Sequence, residues 1–530
     1  MKSLYREGIR VIFGLPGVQL YHAMDALYDE PGIRFITTRH EQATAYMADG
    51  FSRAGGGIGT ALMVPGPGLL NAAAAIGTAY SASSPILVLS GQIERDMIGV
   101  NRGMLHEVDD QIDCIAPITK WAKRILDPAE VPDAVHEAFF HLKTGRPRPV
   151  EIEIPPETLA EIAQVELREP EEYPRPVGTA EQIQQAAQTL SQATSPLIWA
   201  GGGVISSVAS EALVRVAEHL QAPVVTTAEG RGAISDHHHL SLGGLMLRND
   251  PLGEARFGHD VILAVGTRLA TPHFLGGQRV IQIDIDPEEL GRNYENTMGI
   301  HGDARSSLEE LHKALSAAAP ARPEDKEAIN KLKELRAESS IRVEPQDSLI
   351  AAVRSAMPDD GILISGMTQL GYYSRTYFPV YQPQSFLTSS YFGNLGYAYP
   401  TALGAKVAQP DKAVVALSGD GGFLFNSQEL ATAVQHGINA VVVVFNDNAY
   451  GNVLRDQVNR FDGRAIGAEL HNPDFVKLAE AYGARGVRAH GPDELEASLK
   501  EALGIEAPTL IEVPVGMMPS PFERGLGNPR

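Results

Sequence analysis

A single cysteine, Cys114, is all that this 530-residue chain contains. One thiol excludes an internal disulfide framework and a thiolate metal cluster. Its setting, Asp113-Cys114-Ile115-Ala116-Pro117, reads as that of a small buried residue. Long apolar runs are missing too: no stretch reaches the roughly 18 residues needed to span a bilayer. The start of the chain lacks an apolar signal core, and Val11 to Phe13 reads instead as a first strand. Basic runs are absent, and 44 Lys and Arg against 65 Asp and Glu leave a formal net charge of −21. Nucleic acid and anionic membrane are therefore poor partners, because both demand clustered Lys and Arg. The expectation is a cytoplasmic protein with neither partner. There is no low-complexity tract and no repeat short enough for a solenoid.

What is present is alternation. The chain is too long for one core, and two hydrophilic, proline-rich segments divide it, Arg168 to Pro176 and Ala318 to Lys326. They leave three expected domains, 1–167, 178–317 and 345–530. Short β-branched runs recur in each, spaced by amphipathic stretches: Val11 to Phe13, Phe35 to Thr37, Thr60 to Val64 and Pro85 to Leu89 in the first. The second has Pro196 to Ala200, Val224 to Thr227, Val261 to Val265 and Val280 to Ile285. The third has Ile362 to Ile364, Val414 to Leu417, Ala440 to Phe445 and Leu510 to Val513. This pattern predicts three α/β domains with doubly wound parallel sheets.

Two loops in the last domain carry chemistry. Gly419-Asp420-Gly421-Gly422-Phe423 follows one apolar run, and Asn446-Asp447-Asn448-Ala449-Tyr450-Gly451 follows the next. Between them Asn426 to His436 reads as a helix stopped by Gly437. A strand–helix–strand crossover places both loops at the carboxyl ends of parallel strands. An acid at each strand end, with glycine amides beside the first, suits a divalent cation bridging to a phosphate.

In the first domain a strand ending at Thr38 runs into Arg39-His40-Glu41, followed by a helical stretch. A carboxylate desolvated at such a junction becomes a proton donor near neutral pH; the structural alternative is an acid favourable to the helix dipole. The loop Pro65-Gly66-Pro67-Gly68 leads into a helix over 69–79, and its glycines admit either a flat ligand or simply a tight turn. Asn71, in the first turn of that helix, either caps it or faces a ligand.

Together these segments resemble the thiamine diphosphate enzymes of the acetolactate synthase, pyruvate oxidase and benzoylformate decarboxylase group. The first domain resembles their pyrimidine-binding domain through Val11 to Gly17, Arg39-His40-Glu41, and Gly66-Pro67-Gly68 with Asn71. The middle one matches through 262–269 and 281–287, and the last, diphosphate-binding one through Gly393 to Pro400 and the two loops. The resemblance implies that Glu41 shares a proton with N1′ of the aminopyrimidine, activating the cofactor toward 2-keto acids or ketones. Leu395 would prop the bent cofactor. Asp420, Asp447 and the carbonyl of Ala449 would hold Mg²⁺, with Asp447 where relatives usually carry Asn. Gly66, Pro67, Asn71, Gln369, Gly393, Gly419, Gly421, Gly422, Tyr450 and Gly451 complete the implied cofactor set. A homodimer or homotetramer is implied as well.

Reaction type is less marked. His106 stands where acetolactate synthases usually have Gln and pyruvate decarboxylases a His, so it is either an acid/base group or a structural residue. The segment after Gly451 lacks the Met and Trp of the acetolactate synthase acceptor pocket. The middle domain lacks the acidic pair and Arg of flavin-binding relatives after Gly266 to Thr271, so FAD is the less favoured cofactor. No His occurs in the Gly66-Pro67-Gly68 loop, unlike benzoylformate decarboxylases. The leading expectation is a carbon–carbon lyase or carboligase, acetolactate synthase-like. A non-oxidative decarboxylase, a flavin-linked oxidase and a non-catalytic cofactor-binding protein stand as alternatives. His237-His238-His239 is read as a solvated cluster.

Overall fold

Continuous β-branched runs make the central strands. Val261–Val265 is buried along its whole length, and so is Val441–Asn446 up to its last residue, as parallel strands covered on both faces must be. The computed structural model describes residues 1–245, 258–270 and 277–521. It contains three six-stranded sheets whose strands pair in parallel, the predicted α/β class.

The chain divides into two compact units. One comprises 1–173, 362–368 and 389–516; the other comprises 174–361, 369–388 and the residues from 517 onward. In the first unit, one sheet orders its strands Arg34–Thr37, Val11–Gly14, Gly59–Met63, Ile86–Gly91, Val150–Ile154, Trp121–Arg124. The chain steps from Val11–Gly14 to one side and then to the other, which opens a crevice at the carboxyl ends of these strands. Glu41 and Gly66 follow the two strands that flank Val11–Gly14. The other sheet carries Ile362–Ser365, Val414–Gly419, Val441–Asn446, Thr509–Pro514 and Arg485–Arg488 in that order. Gly419 pairs with Phe445, so the two chemistry-bearing loops leave neighbouring strands at the same level.

Two helices of this unit, Glu41–Phe51 and Ala398–Ala408, pack through reciprocal glycines. A Cβ on Gly404 would lie 1.9 Å from the Met47 carbonyl oxygen, and one on Gly50 would lie 2.1 Å from that of Thr401. No side chain larger than hydrogen fits either position.

The second unit holds the sheet Thr297–His301, Arg279–Asp284, Val261–Val265, Pro196–Ala200, Val224–Thr226, Ser241–Gly244. Ile198, Leu263, Ile281, Leu308 and Leu311 are fully buried in its core.

The structure corrects several expectations. Cys114 is exposed, not buried: the short helix Gln111–Ile115 turns its first and last residues inward and leaves Cys114 outside. The helix expected over 426–436 begins at Glu429, because Asp420–Leu424 forms a short helix of its own. Gly437 ends it in the left-handed conformation, as predicted. The second hydrophilic segment is shorter than expected. Lys326–Ser339 is helical, and its Ile329 and Leu332 pack on the middle core.

Candidate functional site

Glu41 is the first residue of the helix Glu41–Phe51, whose N-cap His40 accepts the Gln42 amide on Nδ1 at 3.1 Å. That gives His40 a local structural task. Glu41 is only 8% exposed, and Asn71 Nδ2 donates to its Oε2 at 3.1 Å. Asn71 therefore turns toward the carboxylate rather than capping its own helix. That helix, Pro67–Ala82, has Pro67 at its first position and Gly66 as N-cap with φ 57° and ψ −111°, a conformation open essentially to glycine alone. A Cβ on Gly66 would also strike the His106 carbonyl oxygen at 2.2 Å, whereas one on Gly68 would stand 3.6 Å from Glu41 Oε1. The turn, Glu41, Asn71 and the backbone of His106 thus form one cluster.

His106 itself is half-buried and has a positive φ of 72°. Its Nδ1 lies 3.0 Å from Gln19 Oε1, and Gln19 Nε2 donates to the Leu105 carbonyl at 3.1 Å. Because Gln19 offers its oxygen, Nδ1 carries the proton and Nε2 is the acceptor nitrogen of the ring.

At the other loops, Asp420 is buried and opens the helix Asp420–Leu424. Its Oδ1 accepts the Gly421 amide at 2.8 Å and its Oδ2 accepts Asn472 Nδ2 at 2.6 Å. Burial pushes its carboxyl above the usual range, opposed by the hydrogen bonds from Gly421 and Asn472. Asp447 Oδ1 accepts the Ala449 amide at 3.2 Å, which shapes the turn through Asn448, itself at φ 53°. Ala449 is buried and forms an antiparallel bridge with Glu469.

A Cβ on Gly421 would meet the Tyr450 ring at 2.6 Å, so this glycine is required by Tyr450. One on Gly422 would stand 3.8 Å from Leu395 Cδ2, which sets Leu395 next to the Gly421–Gly422 turn. Gly419 faces Thr368, Gly451 is buried at the start of the helix Gly451–Arg460, and Gly393 has φ 71°. Beside Leu395, Asn394 Nδ2 donates to the Ala74 carbonyl at 3.1 Å and its Oδ1 accepts Thr78 Oγ1 at 2.9 Å. That anchors the segment on the helix bearing Asn71. Gln369 belongs to the second unit, buried at the start of the helix Gln369–Tyr377.

Three residues of these clusters were not anticipated. Asn472 binds Asp420. Gln111 accepts the Gly66 amide on Oε1 at 2.8 Å. Glu429 accepts the Arg39 amide at 3.1 and 3.2 Å, two residues before Glu41. None lies in a motif, and each reaches its partner from at least 45 residues away in sequence.

The glycines Gly201 and Gly203 of the second unit have a packing explanation. Their Cβ positions would fall 2.2 and 2.5 Å from the Gly266 main chain, so two βα turns meet there backbone to backbone. Thr271 lies outside the described residues. Of the His237–His239 cluster, His237 stacks on Tyr381, and His238 lies 3.3 Å from Glu218.

Comparison with known proteins finds three matching domains, one after another along the chain. Residues 1–114 match the thiamine pyrophosphate enzyme N-terminal TPP binding domain, 183–311 the central domain and 366–513 the C-terminal TPP binding domain. A probable acetolactate synthase large subunit of Methanocaldococcus jannaschii is 37% identical over 97% of this chain and 90% of its own length. A probable 2-ketoarginine decarboxylase of Pseudomonas aeruginosa is 36% identical over 97% and 92%. The acetolactate synthase isozyme 3 large subunit of Escherichia coli is 32% identical over 95% and 91%. With three domain matches in sequence order and relatives aligned almost end to end, this chain belongs to the thiamine pyrophosphate enzyme family.

Proposed function

We propose that the protein is a thiamine diphosphate- and Mg²⁺-dependent lyase or carboligase acting on 2-keto acids or related ketones, in the manner of acetolactate synthases. The observation that carries this reading is the buried Glu41 carboxylate, held by Asn71 at the crevice of the first sheet.

Thiamine diphosphate, when bound, supplies a carbon nucleophile at C2 and an electron sink for carbon–carbon cleavage. The chain's own residues do the rest. Glu41 would share a proton at N1′ of the aminopyrimidine, while Asn71 holds its Oε2. Leu395 supplies an apolar prop beside the diphosphate turn. Gly422, in the first turn of a short helix, would offer its amide to a diphosphate oxygen, while the Gly421 amide is held by Asp420 Oδ1.

The cation-binding set is Asp420, Asp447 and the Ala449 carbonyl. All are oxygen donors, as a hard dication requires. The buried Oδ1 of Asn472, which has no hydrogen-bond partner among the described residues, supports a polar occupant beside Asp420. By family analogy the site is completed by a second copy of the chain, in a homodimer or homotetramer, and the three sequence pieces 1–167, 178–317 and 345–530 serve as pyrimidine-binding, central and diphosphate-binding domains.

A decarboxylase that releases an aldehyde is the second reading. His106, with Nδ1 engaged by Gln19, and the similarity to a probable 2-ketoarginine decarboxylase favour it. A panel of 2-keto acids and diketones scored for both CO₂ and carbon–carbon-bonded products separates the two. A visible absorption spectrum of the purified protein decides the flavin question.

The test of the central claim is C2 hydrogen exchange of bound cofactor in Glu41→Gln. Exchange should fall by about 10²-fold or more while cofactor binding persists. Exchange at the parent rate would refute the role given to Glu41.

A further inference from the structure

Asp420 follows one parallel strand and Asn446 ends its neighbour, and a side chain from a third segment ties them together. That segment is fixed by backbone pairing: the Leu470 amide donates to the Asn448 carbonyl at 2.7 Å, and the Tyr450 amide donates to the Ala468 carbonyl at 2.8 Å. It delivers Asn472, whose Nδ2 donates to Asp420 Oδ2 at 2.6 Å and to Asn446 Oδ1 at 2.9 Å.

The amide orientations follow from an ordered chain of donors and acceptors. Arg488 can only donate, and its Nε reaches Glu512 Oε2 at 2.9 Å. The Glu512 carboxylate, 3% exposed, accepts Asn446 Nδ2 on its other oxygen at 2.8 Å. Asn446 must then present Oδ1 to Asn472, and Asn472 must present Nδ2, whose second proton goes to Asp420. Flipping either amide would set like against like. One atom is left over: Asn472 Oδ1 is buried and has no hydrogen-bond partner among the described residues. A buried acceptor without a donor calls for something that supplies one in the working protein.

We propose that Asn472 is a positioning residue of the cation site, holding Asp420 through Nδ2 and accepting a hydrogen bond from a water of the dication through Oδ1. This rests on the reading of Asp420 as a cation ligand. Mg²⁺ characteristically keeps several waters, and those waters are donors. A diphosphate oxygen, an acceptor, would not satisfy Oδ1. The groups that orient a ligating carboxylate bear strongly on metal affinity, with losses of 10- to 100-fold on their removal. Asn472 meets that description through two independent observations, its double donation and its unpartnered oxygen.

The experiment is calorimetric titration of Mg²⁺ into full-length protein at fixed, saturating thiamine diphosphate, with thermal melts in EDTA as a folding check. Asn472→Ala should raise the half-saturating Mg²⁺ concentration by about tenfold or more, while binding stoichiometry at excess Mg²⁺ matches the parent. If that variant does not fold, Asn472→Ser, which keeps a small hydroxyl donor, replaces it and should lie between the two. Asp420→Ala runs alongside and should lose the Mg²⁺ response altogether. A half-saturating concentration within twofold of the parent for Asn472→Ala, with Asp420→Ala impaired, overturns the role of Asn472 and leaves the cation site standing. Parent-like behaviour of both variants overturns the cation site itself.

Discussion

Gln111 Oε1 accepts the main-chain N–H of Gly66 at 2.8 Å, although Gly66 follows the interior strand Gly59–Met63 and Gln111 opens the helix Gln111–Ile115. Gln111 is in turn held by what lies beneath it. Its Nε2 reaches Glu153 Oε2 at 2.7 Å, Ser90 Oγ at 2.9 Å and the Gly91 carbonyl at 3.1 Å. Glu153 is also bound by Gln92 and Arg124, and Glu151 by Ser90 at 2.6 Å. This buried polar network ends on the turn that begins the helix of Asn71, and through Asn71 it bears on Glu41.

Gln111→Leu removes the acceptor of the Gly66 amide and a donor of Glu153 at once. Each buried group left unpaired costs about 1–3 kcal/mol, so chemical denaturation should show a loss of at least that size. Affinity for thiamine diphosphate should weaken with it, because the Gly66 turn loses its tether. A stability change within about 0.5 kcal/mol, the ordinary range of a neutral surface substitution, would contradict this account.

The same network shows where sequence reading fell short. Val150–Ile154 reads Val-Glu-Ile-Glu-Ile, whose alternation suggests a half-exposed strand, and it was not anticipated as one of the sheet. Yet Glu151 and Glu153 are both fully buried: Gln92, Gln111 and Arg124 bind Glu153, whereas burial beside Glu153 pushes the Glu151 carboxyl well above its ordinary range, with Ser90 donating to it. Only tertiary structure reveals that kind of compensation. By contrast, Pro196–Ala200 and Val261–Val265 were legible to the residue, because both faces are apolar. The glycine loops and Glu41 were legible because backbone and charge requirements are local. Asn472, Gln111 and Glu429 were not, since each serves a partner brought near only by folding.

Glu429 gives a pH prediction. Burial pushes its carboxyl up to about 7, against hydrogen bonds from Thr432 and the Arg39 amide. Folding therefore retains a proton that the unfolded chain, with its ordinary value of 4.5, releases. The contribution is complete below pH 4.5 and is lost as pH rises through about 7. Its size is about 3 kcal/mol. The stability difference between the parent and Glu429→Gln should accordingly tilt toward the variant between pH 5 and 8, measured by urea denaturation across that range. A difference that does not vary with pH would exclude the raised carboxyl.

His106 decides between the two catalytic readings. Its positive φ is uncommon outside glycine, and its main chain closes over Gly66 while Gln19 engages Nδ1. The imidazole is thus oriented with Nε2 as its acceptor nitrogen. His106→Gln keeps a side chain able to hydrogen-bond with Gln19 but removes proton transfer. If His106 protonates the product-forming carbon, aldehyde release should drop by about 10²-fold, while C2 hydrogen exchange, assigned to Glu41, stays at the parent rate. Carbon–carbon-bonded product should then rise as a share of the total. An unchanged ratio of aldehyde to ligated product would make His106 a structural residue of the Gly66 turn and favour the carboligase.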